Sequence, residues 1–177
     1  MAQPAIKARI QIEDYPKEGN TLSDCPIFDT YKEFGFIYIE SDKRTAAPEK
    51  KRETTTYAEQ EGENTDLRTV DDVFDYKVTF LIECPNTNKE NANAKIKKFN
   101  DAIRKIDTKT GIKTCKHIAL YNDYKRVMIV GIPEVIAEPK EFYRDRHNNV
   151  LDCVLVELTI HVDTPSLCDF STMEYVT

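Results

Sequence analysis

The stretch from Val73 to Cys84, VFDYKVTFLIEC, restricts the fold of this chain more than any other part of the sequence. Apolar residues recur at every second position, and the positions between them are mostly polar. This period of two predicts a strand with one buried face and one wet face, as is typical of antiparallel sheets. The predicted buried face consists of Phe74, Tyr76, Val78, Phe80, Ile82 and Cys84.

A helix is predicted directly after this strand. Thr87 and Glu90 have the spacing of a capping box, in which the hydroxyl and the carboxylate each accept a hydrogen bond from a free backbone N–H group. Apolar residues then follow at steps of three and four, which is the pattern of an amphipathic helix over about 88–106. The apolar stripe that should pack on the sheet is Ala92, Ile96, Phe99, Ile103 and Ile106.

Further strands are predicted on both sides of this unit, over 6–12, 34–40, 116–121, 124–130, 142–144 and 150–162. The last of these should bury Val154, Val156, Leu158, Ile160 and Val162. The predicted fold class is therefore α+β and mainly antiparallel: a curled β-sandwich or barrel of about seven or eight strands with one flanking α-helix. The length of the chain, 177 residues, predicts a single β-rich domain, which we place at 1–163. Residues 164–177 have no apolar period and form a tail that we expect to be mobile or docked on a neighbour.

Charge and hydropathy restrict the classes of partner. The net charge of −6 argues against duplex nucleic acid as a general partner, because phosphate binding requires a basic surface. No apolar run approaches the roughly 20 residues of a membrane span, and the first residues do not resemble a signal peptide. We therefore expect a cytoplasmic protein with no membrane partner. The five cysteines are widely spaced and contain no CxxC pair, which favours buried free thiols.

No motif of the sequence predicts catalysis or a cofactor. The five glycines form neither a GxGxxG motif nor a phosphate-binding loop, and there is no GxSxG motif. A metal-dependent enzyme built on Cys115, His117 and His161 is one alternative, but their spacing matches no common class of zinc site. The sequence thus predicts no catalytic residue, no metal ligand and no cofactor.

The segment from Thr54 to Leu67 combines a threonine run with a cluster of acidic residues around one glycine. The carboxylates of Glu59, Glu61, Glu63 and Asp66 do not have the spacing of a calcium-binding loop, and no histidine or cysteine lies nearby in the sequence. Exposed acidic runs are usually solvated rather than catalytic. The segment is therefore predicted to be a loop or an interaction surface.

The order of several motifs resembles the N-terminal region of phage distal tail proteins. The similar features are a strand containing Phe34-Gly35-Phe36-Ile37, a basic connection with a proline over Ala47–Lys51, and a G-x-x-x-D-L loop at Gly62–Leu67. A strand at Tyr76–Leu81 and a helix at Ala92–Ile106 follow, and the resemblance extends over roughly 27–163. In that family the loop is usually basic, whereas here it is acidic.

The resemblance implies a tail-tube-like fold and a structural role in the virion. It implies a distal tail or baseplate ring protein, without catalytic residues, that joins the tail tube to the host-recognition apparatus. Its partners would be copies of itself in a ring, most simply a hexamer, and other tail proteins: tube, tape measure or hub, and receptor-binding proteins. Assembly would take place in the host bacterial cytoplasm, and DNA would only pass through the lumen. The implied lumen or assembly loop comprises Glu59, Glu61, Gly62, Glu63, Asp66 and Leu67.

One other function remains open from the residues alone. A monomeric β-sandwich could bind a small or carbohydrate ligand on an open sheet face that presents tyrosines. The candidate residues for such a face are Tyr121, Tyr124 and Tyr143. A deep pocket lined by these rings would favour this alternative.

Overall fold

The structure is a computed structural model that describes residues 8–43, 46–48, 54–56, 63–65, 71–83, 89–123, 126–144 and 150–170. Within these ranges the strands are β1 (Ala8–Ile12), β2 (Phe28–Asp29), β3 (Phe36–Ser41), β4 (Thr54–Thr56), β5 (Glu63–Thr65), β6 (Phe74–Glu83), β7 (Arg104–Ile106), β8 (Lys113–Cys115), β9 (Ile118–Asn122), β10 (Val127–Pro133), β11 (Glu141–Arg144) and β12 (Val150–Val162). The helices are α1 (Thr30–Phe34) and α2 (Lys89–Ile103), and short 3-10 turns lie at Leu22–Asp24 and Pro165–Leu167.

Eight of these strands form one antiparallel sheet in the order β2-β1-β9-β10-β12-β6-β3, with β11 also paired to β12. Strands β4 and β5 form a separate two-stranded ribbon, and so do β7 and β8. The predicted mainly antiparallel α+β fold is confirmed, and the sheet is a curled one rather than a closed barrel.

The long central pair β6 and β12 has the alternation that the sequence predicts. The described core residues of the Val73–Cys84 stretch are all buried, and so are the five predicted inward residues of β12. Cys84 lies outside the described residues. These two strands pair along their lengths, from Cys153 opposite Glu83 to Val162 opposite Phe74. Helix α2 buries Ala92, Ile96, Phe99 and Ile103 in the same core.

The helix ends earlier than its apolar stripe predicts. Residues 104–106 form strand β7 instead of a last helical turn, and Ile106 is exposed rather than packed on the sheet. The backbone N–H of Lys116 donates to the carbonyl oxygen of Ile103 at 2.8 Å, so the chain turns away from the helix axis at this point. The proposed capping residue Thr87 lies outside the described residues.

The two strands at opposite edges of the curled sheet, β2 and β3, follow one another in the sequence. Strands β2 and β3 are joined by α1, whose N-terminus is capped by Asp29 and whose C-terminus is Gly35 in a left-handed conformation (φ 73°). The buried hydroxyl of Thr30 lies 2.9 Å from the carbonyl oxygens of both Ala8 and Phe36, so it contacts β1 and β3 together. The sequence predicts a strand from Phe34, but the residues before Gly35 form this short helix.

The last described residues lie against the body of the protein. Asp169 forms a backbone bridge with Met128 of β10, and the ring of Phe170 packs on Phe74 with centroids 6.4 Å apart. Of the cysteines that are described, Cys25 is buried, while Cys115, Cys153 and Cys168 are partly buried and free. The division into a domain over 1–163 and a tail over 164–177 stays a prediction.

Candidate functional site

Most of the predicted acidic loop lies outside the described residues. Glu63 is the exception, because it begins β5 and pairs with Thr56 of β4. The threonine run therefore forms one strand of a ribbon, consistent with the β-propensity of this β-branched residue. The predicted lumen or assembly residues that are not described are Glu59, Glu61, Gly62, Asp66 and Leu67.

The candidate metal ligands do not converge. Nδ1 of His117 faces Glu13 at 3.7 Å and its Nε2 faces Asp163 at 3.1 Å, so the two ring nitrogens point to different carboxylates. His161 instead pairs with Asp75 at 2.8 Å. Across the described ranges, no three histidine, cysteine, aspartate or glutamate side chains are grouped to hold a metal ion.

The surroundings of Cys115 disfavour its thiolate, which is the form that attacks substrates or binds metals. Burial raises the pKa of its thiol, which favours the neutral form over the thiolate. The same holds for Cys168, whose thiol pKa is also raised by burial and whose Sγ lies 3.3 Å from the backbone nitrogen of Val130.

Tyr121 is engaged within the chain rather than presented to a ligand. The guanidinium of Arg9 lies 5.4 Å from the centre of its ring, and Arg9 is fixed by a bidentate contact to Asp123. The tyrosine hydroxyl donates to Oε1 of Gln11 at 3.0 Å, and burial raises its pKa. A binding face would therefore need the other candidate rings: Tyr124 lies outside the described residues, and Tyr143 lies in β11 with no described side chain.

Strand β3 forms one edge of the large sheet. It pairs with β6 on one side, and the structure describes no strand on its other side. The pairing shifts register between Tyr38 and Glu40, and Ile39 at this irregularity is 46% exposed. An edge of this kind offers backbone N–H and C=O groups to another chain.

The ribbon of β7 and β8 is the second exposed feature, and residues 104–116 are called the basic hairpin below. Every residue from Arg104 to Thr114 is exposed, and Ile106 and Ile112 are each 59% exposed. The turn is ordered by its own hydrogen bonds, since Oδ1 of Asp107 accepts from the N–H of Lys109 at 2.8 Å and Gly111 adopts φ 69°. A shallow groove of about 670 Å³ lies beside the hairpin.

This hairpin was not predicted from the sequence. Its first strand continues the apolar stripe of α2, so residues 104–106 look helical, and its second strand is only three residues long. The turn formers Asp107, Thr110 and Gly111 are the signal that could have found it.

Comparison with known proteins shows a distant structural similarity. No family model and no curated protein matches the chain. Among solved structures, the chain is similar to the Dit (gp 19.1) protein of phage SPP1, described as a paradigm of the hub adsorption apparatus of phages that infect Gram-positive hosts. The similarity covers 89% of this chain at 12% identity, with a TM-score of 0.49, and the chain spans half the length of that protein. None of the helices in the described ranges is long and apolar enough to cross a membrane.

Proposed function

We propose that this chain is a non-catalytic structural component of a phage or prophage tail. In this proposal it assembles as a ring, most simply a hexamer, between the tail tube and the host-recognition apparatus. Its partners are copies of itself, the tube protein, the tape measure or hub, and receptor-binding proteins. It functions in the virion tail after assembly in the bacterial cytoplasm.

The observation that carries the proposal is the edge of β3, on whose outer side the described residues place no strand. An exposed edge with an exposed isoleucine tends to pair with another chain, and uncontrolled pairing leads to aggregation. Pairing around a closed ring covers every edge and stops at a fixed number of copies. Ile37–Glu40 is therefore the segment that we expect a neighbouring copy to cover.

The resemblance in the sequence supports the same role. Phe36 and Ile37 of the family-like motif begin β3 itself, and the later motif residues Tyr76–Leu81 lie in its sheet partner β6. Two of the motifs that resemble the family therefore lie in the edge strand β3 and in its partner β6.

The first test is the assembly state of the full chain. Light scattering after size-exclusion chromatography at high protein concentration, together with negative-stain imaging, should show a closed ring. Ile39→Lys should weaken this assembly by about tenfold or more, because a charge on an edge strand opposes pairing. Val73→Lys is the matched control, since Val73 is 51% exposed but precedes β6, which has strand partners on both sides.

The second test separates a tail protein from any other ring. The chain is co-expressed with the products of the genes beside its own, and we expect it to co-purify with a tail-tube or hub protein. An adjacent gene for a long helical tape-measure protein would support the proposal. A strict monomer that binds none of these products would contradict it.

A further inference from the structure

The basic hairpin stands apart from the body of the protein. A two-stranded ribbon without a third strand or a covering layer is marginally stable in water. Here both strands are three residues long, and Cys115 at the base of the hairpin packs against the core. There, Lys116 Nζ donates to the backbone oxygen of Asp14 at 3.3 Å, and Lys105 Nζ lies 3.9 Å from the Asp14 carboxylate.

The composition of the hairpin differs sharply from that of the whole chain. It contains five basic residues and one acidic residue, which gives it a net charge of +4. Since the whole chain has a net charge of −6, the remaining residues together carry −10. The basic residues are Arg104, Lys105, Lys109, Lys113 and Lys116.

Apolar side chains are exposed among these charges. Ile106 lies directly across from Lys113 in the ribbon, and Ile112 follows the turn. Both also line the groove beside the hairpin, together with Glu13 and His117. Exposed apolar side chains surrounded by charge are typical of a surface that becomes buried against a protein.

We propose that the basic hairpin is the arm by which one copy of this chain docks on the acidic surface of a second copy. The inference rests on the proposed ring and names a surface that assembles it. The hairpin and the acidic surface that it contacts are different parts of the molecule, so each copy can use its hairpin on one neighbour and its acidic surface on another. Such a heterologous contact generates a ring when the rotation between neighbouring copies closes, as in the proposed ring. The isoleucines supply the apolar centre of the contact, and the lysines at its rim supply steering and specificity.

A nucleic acid fits the hairpin less well than a protein does. The hairpin contains no aromatic residue on which a base could stack. The net charge of −10 on the rest of the chain would repel a polyanion. The exposed isoleucines also have no role in a contact with phosphates.

The test compares the self-association of the full-length protein with that of two charge variants by analytical ultracentrifugation at about 0.05, 0.15 and 0.5 M NaCl. Wild-type assembly should weaken as salt rises. Lys109→Glu with Lys113→Glu should weaken it by about tenfold or more at the lowest salt concentration. Lys17→Glu with Lys43→Glu makes the same change of net charge at exposed sites outside the hairpin. This control should change the strength of self-association by less than about threefold.

A second variant tests the apolar centre without changing the charge. Ile106→Ser with Ile112→Ser should also weaken association by about tenfold, with the salt dependence retained. Both residues are exposed, so we expect unchanged circular dichroism and thermal midpoint.

The outcomes separate the two proposals. If the wild-type ring forms and both hairpin variants assemble as well as the control, the hairpin inference is overturned while the proposed function stands. A wild-type chain that stays monomeric at every salt concentration overturns the docking of a second copy. Binding of a fluorescent DNA duplex at about 0.15 M NaCl that is lost in the lysine variant would identify nucleic acid as the partner and overturn the inference as well.

Discussion

The side-chain amide of Asn122 donates a hydrogen bond of 3.0 Å to the hydroxyl oxygen of Tyr38, which joins β9 to the edge strand β3 across the interior. These strands are not neighbours in the sheet, so the contact exists only because the sheet curls. Ser41 completes the cluster, since its Oγ lies 2.9 Å from the Tyr38 hydroxyl and accepts a hydrogen bond from the Tyr76 hydroxyl at 2.8 Å. The curl is therefore held by polar contacts as well as by the apolar core.

We expect Asn122→Leu to lower the free energy of unfolding by about 1–3 kcal/mol, because the variant leaves buried hydroxyl groups without this partner. Chemical denaturation followed by circular dichroism measures the change. Asn93→Leu is the control, because Asn93 is exposed on α2, and it should stay within about 0.5 kcal/mol of wild type. Equal stability of the two variants would mean that the cluster does not hold the curl.

Gly131 marks the place where β10 passes from β9 to β12. A Cβ at this position would lie 2.9 Å from the carbonyl carbon of His161 and still closer to its oxygen, so the backbone of β12 would have to move. We expect Gly131→Ala to destabilise the protein by more than about 2 kcal/mol, as overpacking in a core does.

Gly35→Ala provides a comparison for this prediction. A Cβ at Gly35 would contact only the flexible side chain of Lys95, so it can be accommodated. Because residue 35 has φ 73°, the substitution should still lower the free energy of unfolding by about 1–2 kcal/mol. The urea midpoints of the two variants show which substitution destabilises the protein more. A smaller loss at Gly131 than at Gly35 would contradict the close approach of β10 and β12.

The sequence predicts the elements whose side chains repeat regularly. The alternation in β6 and β12 and the stripe of α2 give the core because burial of these residues depends only on local periodicity. Asn122 falls between the predicted strands 116–121 and 124–130, but it is the last residue of β9 and is buried. Its partners lie some 80 residues away on β3, and no local pattern indicates such a contact.

The candidate surfaces were harder to predict for a related reason. The edge position of β3 depends on the order of strands in the whole sheet, which the composition of β3 does not contain. The basic hairpin follows α2 without a change of apolar period, so the sequence pattern places Ile106 in the helix. Exposure of this kind is a property of the assembled fold, whereas propensity is a property of the segment.

Tyr15 and Glu33 connect the turn after β1 to helix α1. The Tyr15 hydroxyl donates to Oε1 of Glu33 at 2.7 Å, and burial, together with this carboxylate, raises the pKa of Tyr15 to about 12. The same hydrogen bond, with a contribution from Lys98, lowers the pKa of Glu33. The contribution of Tyr15 to stability is thus fully present below its unfolded pKa of about 10 and is lost as the pH rises towards 12.

Tyr15→Phe should remove this alkaline loss of stability. It should also reduce the acid loss that occurs as the pH falls below the usual glutamate pKa of about 4.3, because Glu33 then has a less depressed pKa. Denaturation midpoints measured across the pH range test both effects, and ultraviolet titration should show one fewer tyrosine ionising near pH 12. Tyr31→Phe, at an exposed position of α1, should leave both profiles unchanged. A variant profile identical to that of wild type would contradict the linkage.

The acidic residues Glu59, Glu61 and Glu63 lie around the β4–β5 ribbon in the sequence, and in the proposed ring they face the lumen or a neighbour. We expect their replacement by lysine to leave circular dichroism and the thermal midpoint unchanged, because an acidic run in a sequence is usually solvated rather than part of a core. The variant should either assemble less well or form a ring that retains duplex DNA, since like charge no longer prevents binding in the lumen. Light scattering and a DNA retention assay on the assembled ring measure these effects.

The reversal also brings the net charge from −6 to zero, which by itself promotes non-specific association. A control with Glu18, Glu134 and Glu138 replaced by lysine makes the same change at exposed positions outside the ribbon. Loss of folding in the first variant would show that these residues stabilise the protein rather than form a surface. Assembly and DNA retention equal to those of the control would show that net charge, rather than the position of the three glutamates, determines the result.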